Sequence, residues 1–521
     1  MSAALLPLFV AVPMISGAVL VMTSTRTRFS VAVLMSVLVA STLGGVLLVL
    51  GARDGDVVAH GVGLWPAGIA IPFAADMLTA LMLTVTGLLS VTCSAFAIAS
   101  GDASKRFFAP LVLILTAGVN GALLTADLFN LFVFIEVMLL PSYALFVLAA
   151  PGRARLRTVA GARLYVTVNL MTSTVFLAGV AFVYGVAGTV NLGELAGAAA
   201  SSDTVAIAVA VCLFALAIKA AVVPVHGWLA RAYPATSPAV TALFSGLHTK
   251  VAIYAIYRIY AVVFDGDSRF LWVGIVVFSL TMVVGVLGAV GERTTRSILA
   301  FHMVSQIGYI LLGVAIFTLA GLTAGIFYLL HHMIVKASLF LSTGAIEERY
   351  GTGRLDQLSG LARREPWVAV AFFAAALSLA GLPPFSGFVA KLTLLLASVD
   401  AGQVAAAVVM VAVSLVTLLS MLKIWSGAFW GSPTTPEAPD DDGEPETTET
   451  TGPTPATGTV TTHAPVRTGR KVEAALLAPG LFLAVVTLGL GLGAELLLGL
   501  AETAAAGLLD PSAFVEAVMG S

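Results

Sequence analysis

The sequence predicts an all-α polytopic membrane protein. Of its 521 residues, 59% are hydrophobic and only 10% are charged, whereas soluble globular chains carry about 25% charged residues. The apolar residues form long continuous runs, which indicate spanning helices rather than the short alternating strands of a membrane barrel. The formal net charge of -2 gives no basic bias toward a nucleic-acid partner. Cytosolic enzymes, nucleic-acid binders and disordered scaffolds are therefore excluded.

The apolar runs set the number of predicted spans. A helix needs roughly 20 mostly apolar residues to cross the hydrocarbon core. About 14 stretches meet this requirement, at residues 4–23, 29–51, 76–100, 108–126, 127–150, 162–187, 204–226, 236–262, 271–290, 296–316, 320–345, 366–394, 403–430 and 473–499. The first run lacks an Ala-x-Ala-like cleavage site, so we interpret it as a helix rather than a signal peptide.

Lysine and arginine fall in alternate loops of this series. The odd-numbered loops hold the basic clusters, at residues 26–28, 105–106, 153–163, 293–296, 349–364 and 467–471. The even-numbered loops hold almost none, Arg53 and Arg269 being the exceptions, and are otherwise acidic. Because cytoplasmic loops are enriched in Lys and Arg, the pattern predicts a multi-pass cell-membrane protein with both termini outside.

One segment is neither apolar nor a short loop. Residues 432–466 are rich in Pro, Thr and acidic side chains. Such a composition cannot bury enough apolar surface to offset its ordering entropy, so a flexible cytoplasmic loop is predicted. A plain linker is favoured over a docking role. The C-terminal residues 500–521 are expected to form a short interfacial helix.

Ionisable residues inside the apolar runs are the candidates for function. A Lys or Asp at the centre of a spanning helix costs about 2.5–3.5 kcal/mol on insertion scales, so each is a functional hypothesis. These residues are Glu136, Lys219, His248, Lys250, His302, His331, His332, Lys336 and Lys391. Asp76 and Asp127 lie near the outer ends of their helices, where capping is the simpler role. Lys423 lies near a cytoplasmic helix end and is expected to snorkel to the interface.

Two spans contain prolines close to a buried lysine. Lys219 precedes Pro224 in span seven, and Lys391 follows the pair at 383–384 in span twelve. Proline breaks a helix, and broken backbone at membrane depth is tolerated only where it is buried in protein or lines a polar cavity. Spans seven and twelve are therefore predicted to be discontinuous. Paired broken helices five spans apart indicate two inverted repeats with sites near the midplane.

These observations divide the chain into five parts. Helices 1–3 occupy residues 1–107, the first five-helix repeat 108–262 and the second, inverted five-helix repeat 271–430. The acidic loop, taken as 431–472, and a last helix with its tail, 473–521, complete the chain.

The candidate residues suggest proton transfer. Burial favours the neutral form of a lysine, whereas a nearby carboxylate favours its charged form. A Glu136–Lys219 pair whose separation changes could therefore load and release a proton. Lys250 and His248 could accept it. Four buried lysines with one buried glutamate leave too few partners for static ion pairs, although purely structural pairing is the alternative.

The remaining candidates would carry the proton onward. His332 and Lys336 are four residues apart and share one helix face, and histidine relays protons near neutral pH. Lys391 would be the last group, near the exit. For His302 and His331 a satisfied core histidine is as good an interpretation as a relay. A metal site at His331 and His332 is disfavoured because no carboxylate or cysteine is near in sequence.

Signatures of cofactor chemistry are not found in the sequence. It holds no phosphate-binding loop, no dinucleotide-binding glycine motif and no haem or iron–sulfur cysteine pattern. Cys93 and Cys212 lie in apolar runs and are expected to be inert thiols. No cofactor is predicted, so the energy for any transport must come from an ion gradient or from partner subunits.

Several motifs around these residues resemble a known family. They are NLFVFIEVMLLPSYAL, IKAAVVPVHGWLARAYPATSPAVTALFSG, TKVAIYAIYR, FHMVSQIGYILLG and GLPPFSGFVAK. They resemble the antiporter-like family shared by multisubunit Mrp cation/proton antiporters and respiratory complex I, most strongly from about residue 120 to 425. The resemblance implies a fold of fourteen helices with two inverted five-helix repeats, and a proton pathway through Glu136, Lys219, Lys250 and Lys391.

Within the family, the lysine at 391 and the segment in span ten are most similar to D-type Mrp subunits. This implies A-, B-, C-, E-, F- and G-type subunits as partners in a bacterial membrane, with H+ and Na+ as the transported ions. The first hypothesis is thus a subunit of an Mrp-type antiporter. The alternative is a pumping subunit of an NADH–quinone oxidoreductase or membrane-bound hydrogenase, and a stand-alone transporter is weaker. No cluster of carboxylates and carbonyls suited to Na+ is evident, so a sodium site is expected elsewhere.

Overall fold

A computed structural model describes residues 2–23, 27–63, 65, 70–148, 155–431 and 471–520, with the backbone alone at 155–157. The acidic loop predicted at 432–466 lies outside the described residues.

The described chain is almost entirely helical. Its helices, in chain order, are α1 Leu8–Thr23, α2 Thr27–Gly51, α3 Met77–Ser100, α4 Phe108–Leu124, α5 Leu128–Leu148, α6 Arg155–Ala187, α7 Ala198–Ser201, α8 Asp203–Lys219, α9 Gly227–Ala232, α10 Pro238–Val263, α11 Leu271–Gly291, α12 Thr295–Ile316, α13 Leu319–Tyr350, α14 Leu361–Arg364, α15 Pro366–Ala380, α16 Ser386–Asp400, α17 Val404–Ile424, α18 Ala474–Leu492, α19 Ala494–Leu509 and α20 Ser512–Met519. The predicted class, a polytopic helical membrane protein, is confirmed.

Eleven helices within the described ranges are long and apolar enough to cross a membrane. They are α1, α2, α3, α5, α6, α10, α11, α12, α13, α17 and α18. Helices α4 and α15 are apolar but shorter. The predicted count of about fourteen also requires α4 and the two proline-containing segments to cross, and it stays a prediction.

The core of the molecule is built from α10, α12 and α13. Nearly all of their residues are buried inside the protein, whereas α1, α2 and α11 expose most of theirs. A helix that is apolar on all sides belongs in the interior of a large bundle. Helix α13 packs against α3, α10, α12, α15, α16, α18 and α19. Five of the eight predicted site residues lie on α10 and α13, so the core is also where the charges are.

Spans seven and twelve are interrupted, as predicted. Helix α8 ends at Lys219 and α9 begins at Gly227, while α15 ends at Ala380 and α16 begins at Ser386. Both breaks begin with a residue of positive φ, 62° at Ala221 and 88° at Gly381.

The two breaks also share one backbone hydrogen-bond pattern. The first has Ala221 N to Ile218 O at 2.9 Å, Val222 N to Ala217 O at 3.0 Å and Val225 N to Val222 O at 3.0 Å. The second has Gly381 N to Ser378 O at 3.1 Å, Leu382 N to Leu377 O at 3.1 Å and Phe385 N to Leu382 O at 3.2 Å. Corresponding residues keep one constant offset along the chain, so the two breaks are built alike.

Two features differ from the predicted layout. A two-stranded antiparallel sheet, β1 Val58–Val62 with β2 Ile71–Ala75, lies between α2 and α3, and α20 packs on it. The strands are too short for a hydropathy window to detect. The last span was predicted to end at residue 499, which is wrong, because Gly493 separates α18 from α19. The terminal helix expected within 500–521 is present as α20, but α19 begins ahead of that range.

Candidate functional site

The predicted site residues lie on five helices that surround the two breaks. Glu136 is on α5, Lys219 ends α8, and Lys391 is on α16 directly after the second break. The others lie inside the core helices, with His248 and Lys250 on α10 and His331, His332 and Lys336 on α13. Lys250 and Lys336 have no exposed surface, and Lys219 and Lys391 expose 3% and 9%.

Lys219 is held by α6. Its Nζ atom donates to the Oδ1 atom of Asn169 at 3.2 Å, and the Nδ2 atom of Asn169 donates to the carbonyl of Tyr165 at 2.8 Å. The break after α8 is fixed from the other side, because the Nε1 atom of Trp228 donates to the carbonyl of Ile218 at 3.0 Å. The amide of Asn169 therefore sets where the lysine ammonium lies.

Glu136 is half-buried and lies within electrostatic reach of Lys219. The expected pair is not closed, because no ion pair within the described ranges includes Glu136. The Oε1 atom of Glu136 is buried, with no hydrogen-bond partner among the described residues. The two charges are thus coupled across a gap, which is the arrangement that proton loading and release requires.

His248 continues the series on α10. It lies within electrostatic reach of Lys219, and its Nδ1 atom is 2.8 Å from the hydroxyl of Tyr165. Phe244 packs on the ring with the two centroids 4.4 Å apart. The Nε2 atom has no partner among the residues that the structure describes, so one nitrogen of the imidazole is anchored and the other is free.

Lys250, His332 and Lys336 form a central group between α10 and α13. The charges of all three interact with one another. Lys250 donates to the Oγ1 atom of Thr249 at 3.0 Å, and Lys336 to the carbonyl of Leu299 at 2.9 Å. Neither ring nitrogen of His332 has a partner in the described part of the chain. The proximity of His332 to Lys336, expected from their spacing, is present.

Lys391 lies at the second break. Its Nζ atom donates to the carbonyl of Ala380 at 2.9 Å and lies 5.4 Å from the ring centroid of Tyr309. His331 and His302 are both within electrostatic reach of it. A cavity of about 200 Å³ beside Lys391 is lined by the side chains of residues such as Tyr309, Met410 and Ser414.

Both histidines near Lys391 are anchored by serine. The Nδ1 atom of His331 is 2.8 Å from the hydroxyl of Ser386, and the Nε2 atom of His302 is 2.9 Å from that of Ser420. His302 also lies within electrostatic reach of Lys336. His302 therefore lies between the central group and Lys391, and of the two interpretations left open from sequence this position favours a relay.

Together these residues form a series of interacting charges from Glu136 to Lys391. Each neighbouring pair is within electrostatic reach except His248 and Lys250, which are joined by the backbone of α10. Side chains of this type can exchange protons, because each has a neutral and a charged form. No group of three or more His, Cys, Asp or Glu side chains within the described ranges is placed to hold a metal ion.

The structure also shows site residues that sequence reasoning missed. Asn169, Tyr165, Ser386 and Ser420 are neutral, and neutral polar residues occur in many apolar helices without a role. Arg258 was overlooked although it lies inside the span predicted at 236–262, so its signal was available.

Arg258 forms a buried ion pair with Asp76. Its Nη2 atom lies 2.6 Å from the Oδ2 atom of Asp76, and its guanidinium lies 4.3 Å from the ring centroid of Phe514 on α20. Asp76 also caps α3 as predicted, since its Oδ1 atom accepts from Thr79 N at 3.0 Å. Burial raises the pKa of the Asp76 carboxyl, but the charge of Arg258 outweighs this and holds the pKa below its ordinary value.

Interrupted spanning helices beside buried ionisable groups define an ion-transporting class of membrane protein. The family described as NADH:quinone oxidoreductase/Mrp antiporter, TM, matches residues 125–417, and the chain belongs to this family. The resemblance inferred from the motifs is therefore confirmed.

Individual relatives belong to the Mrp branch. The chain is 35% identical to the D-type subunit of the Na(+)/H(+) antiporter of Alkalihalophilus pseudofirmus over 98% of both chains. It is 32% identical to the D-type subunit of the Na(+)/H(+) antiporter of Bacillus subtilis, covering 88% of this chain and 87% of that one.

Solved structures agree. A chain of the Mrp complex from Dietzia sp. superimposes with a TM-score of 0.92 at 62% identity, over 99% of both chains. A chain of respiratory complex I from Thermus thermophilus matches with a TM-score of 0.77 at 23% identity, over 97% of this chain and 99% of that one. At that identity the second match shows a shared fold alone.

Proposed function

We propose that this chain is the D-type, proton-conducting subunit of a hetero-oligomeric Mrp-type Na+/H+ antiporter. Its relatives carry that name, and the structure of an Mrp complex contains a chain of the same fold at high identity. The observation that carries the proposal is the buried series of interacting charges from Glu136 to Lys391. The chain then moves protons inward while sodium leaves the cell.

The residues have distinct roles in this proposal. Glu136 and Lys219 load the proton, because a change in their separation changes which form of the lysine is favoured. His248 and Lys250 receive it on α10. The central group passes it through His332 and Lys336, and the histidines at 302 and 331 deliver it to Lys391.

The proposal assigns no redox chemistry to this chain. A gradient of one ion drives the other, so the subunit is a transporter component rather than a catalytic enzyme. Its partners are A-, B-, C-, E-, F- and G-type Mrp subunits and the surrounding lipid. The Na+ ligands lie in another subunit or at an interface, because sodium needs clustered oxygen ligands and this series is rich in lysine.

The proposal includes the architecture inferred from the sequence. Fourteen spans result if α4, α8 with α9, and α15 with α16 cross along with the eleven long helices. The matched hydrogen bonds of the two breaks support two repeats of five helices, within 108–262 and 271–430. The charge bias of the loops supports both termini outside.

A redox-driven pump is the second candidate, favoured by the structural match to complex I. One vesicle experiment separates the two. Everted vesicles are prepared from an antiporter-deficient bacterium that expresses the whole neighbouring operon, the chain alone, or the operon with Lys219→Ala. The ΔpH change is recorded after adding Na+ and, separately, NADH.

We expect sodium-dependent alkalinisation with the intact operon only. Lys105→Ala is the matched control, because Lys105 pairs with Asp102 at 3.0 Å at the partly exposed end of a loop, away from the series. It should exchange normally. Sodium exchange by Lys219→Ala at the wild-type rate contradicts the pathway, and a response to NADH alone assigns the chain to the redox-driven pumps.

A further inference from the structure

A chain of hydroxyl groups leads from His248 to a backbone carbonyl. The Nδ1 atom of His248 lies 2.8 Å from the hydroxyl of Tyr165, which lies 3.1 Å from the hydroxyl of Ser142. The hydroxyl of Ser142 lies 2.6 Å from the carbonyl oxygen of Leu139. All four residues are buried. The direction of these hydrogen bonds decides which nitrogen of His248 carries a proton.

The direction follows from counting protons along the chain. The Leu139 carbonyl has no proton, so at 2.6 Å Ser142 must donate its only one. Ser142 can then only accept from Tyr165, whose single proton is thereby used. The oxygen of Tyr165 can in turn only accept from His248. The Nδ1 atom of His248 therefore bears hydrogen.

The opposite direction leaves a contact unsatisfied. If Tyr165 donated to Nδ1, the protons of Tyr165 and Ser142 would both be used elsewhere. Their oxygens would then face each other at 3.1 Å with no proton between them. A buried hydrogen bond left unmade is costly, so the first direction is favoured.

Packing holds the imidazole in the orientation that this bond needs. Phe244 lies 4.4 Å from the ring of His248, and the ring of Tyr165 is stacked on it at 6.2 Å. Tyr165 is itself enclosed by Phe146 at 5.4 Å and Trp228 at 5.9 Å. Neither ring can turn without disturbing several aromatic neighbours.

We propose that Tyr165 is a positioning residue that fixes His248 as the Nδ1–H tautomer and leaves Nε2 as its one basic nitrogen. The inference rests on the proposed function, in which His248 receives a proton from Lys219. The ammonium of Lys219 gives a proton to Nε2, which forms a neutral amine and an imidazolium, and Nε2 later releases the same proton. The Nδ1 proton stays bonded to Tyr165 throughout, so the ring returns to its starting tautomer.

The test uses the assembled antiporter with Tyr165→Phe, which removes the hydroxyl and keeps the ring. Tyr233→Phe is the matched control, because Tyr233 belongs to the same aromatic cluster but its hydroxyl lies 3.4 Å from the carbonyl of Phe244 and not at His248. We expect Tyr165→Phe to lower sodium-driven exchange roughly tenfold, and Tyr233→Phe to keep at least half of it.

A double-mutant cycle separates positioning from a general structural role. Tyr165→Phe should cause no further loss when His248→Gln is already present, because it acts through His248. Nitrogen NMR of the complex labelled with ¹⁵N-histidine, with His248→Gln for assignment, should show a protonated Nδ1 in the wild type. Tyr165→Phe should produce a mixture of tautomers.

Each outcome has a distinct meaning. Full exchange in His248→Gln contradicts the role of His248 in the proposed function. Loss in His248→Gln together with normal exchange in Tyr165→Phe, additive losses, or a protonated Nε2 in the wild type overturns the inference and leaves the proposed function standing. If Tyr165→Phe does not assemble, Ser142→Ala tests the same chain, since Tyr165 is then free to donate and the other tautomer is expected.

Discussion

The Oδ1 atom of Asn169 accepts a hydrogen bond from the Nζ atom of Lys219 at 3.2 Å, so an amide and not a carboxylate holds the lysine that ends α8. A neutral partner orients the ammonium without fixing its charge. A carboxylate at the same place would favour the charged form strongly. The lysine can therefore change protonation state as Glu136 approaches or recedes.

This arrangement predicts the effect of two substitutions at Asn169. Asn169→Leu removes the acceptor, and Asn169→Asp gives Lys219 a permanent counter-charge. Both should lower sodium-driven exchange in everted vesicles at least about tenfold, while the amount of complex in the membrane is unchanged. Thr172→Val on the same helix is the control, because Thr172 bonds only to the carbonyl of Val168. Wild-type exchange in Asn169→Asp would contradict the need for a neutral partner.

Glu136 should be required for its charge and not for its shape. Glu136→Gln keeps the size of the side chain but removes the charge that reaches Lys219. We expect exchange to be lost with assembly retained, as with Glu136→Ala. Glu194→Gln, at an exposed position, should exchange normally. The measurement is the sodium-induced ΔpH at equal complex levels, and activity in Glu136→Gln would remove the carboxylate from the loading step.

Much of this site could be predicted from sequence because charge in an apolar run is a strong signal. Lys219, Lys250, Lys336 and Lys391 stand out by insertion cost alone, and Pro224 marked the first break. Residues such as Asn169 and Tyr165 could not be chosen this way. Their importance lies in which side chain they meet, and a contact between two helices is set by packing rather than by local sequence.

Arg258 shows a different limit, since it was overlooked despite lying inside a predicted span. Its pairing with Asp76 joins α10 to the start of α3, which are far apart in sequence. The short strands β1 and β2 were likewise missed. They are held by pairing with each other and by α20, and the sequence of either strand alone gives no such information.

The Asp76–Arg258 pair should be important for stability. Breaking a buried ion pair by removing one partner typically costs about 3–5 kcal/mol, because the other charge is left buried and unpaired. Arg258→Leu should therefore lower the thermal stability of the purified complex strongly. Arg269→Leu is the control, because Arg269 is half-exposed and such pairs contribute little. Equal melting temperatures for the two variants would contradict a stabilising role.

The pH dependence of this contribution has a definite sign. The pKa of Asp76 is below its ordinary value of 3.8 in the folded protein. The stabilisation is therefore fully present above that value and is lost as the pH falls through the lower, folded-state pKa. Asp76→Asn should remove the dependence. Thermal melting of both proteins between neutral and acidic pH measures it, and an identical acid response would contradict the assignment.

The second break predicts a substitution that acts on Lys391 without touching its charge. Gly381 has a φ of 88°, which favours glycine, and a Cβ atom placed there would lie 2.6 Å from the Cδ atom of Lys391. Gly381→Ala must therefore strain the backbone and displace the lysine from the carbonyl of Ala380. Sodium-driven exchange should fall at least about tenfold while the complex still assembles.

Ala221 provides the matched control, because it occupies the corresponding place in the first break with a φ of 62°. Ala221→Gly makes the two breaks alike and relieves about 1 kcal/mol of left-handed strain. It should preserve exchange and slightly raise the melting temperature. Because one variant adds a methyl group at a positive φ and the other removes one, a loss confined to Gly381→Ala traces the defect to Lys391. Equal losses in both variants would instead indicate that the breaks tolerate no change in backbone freedom, and the position of Lys391 would not be the cause.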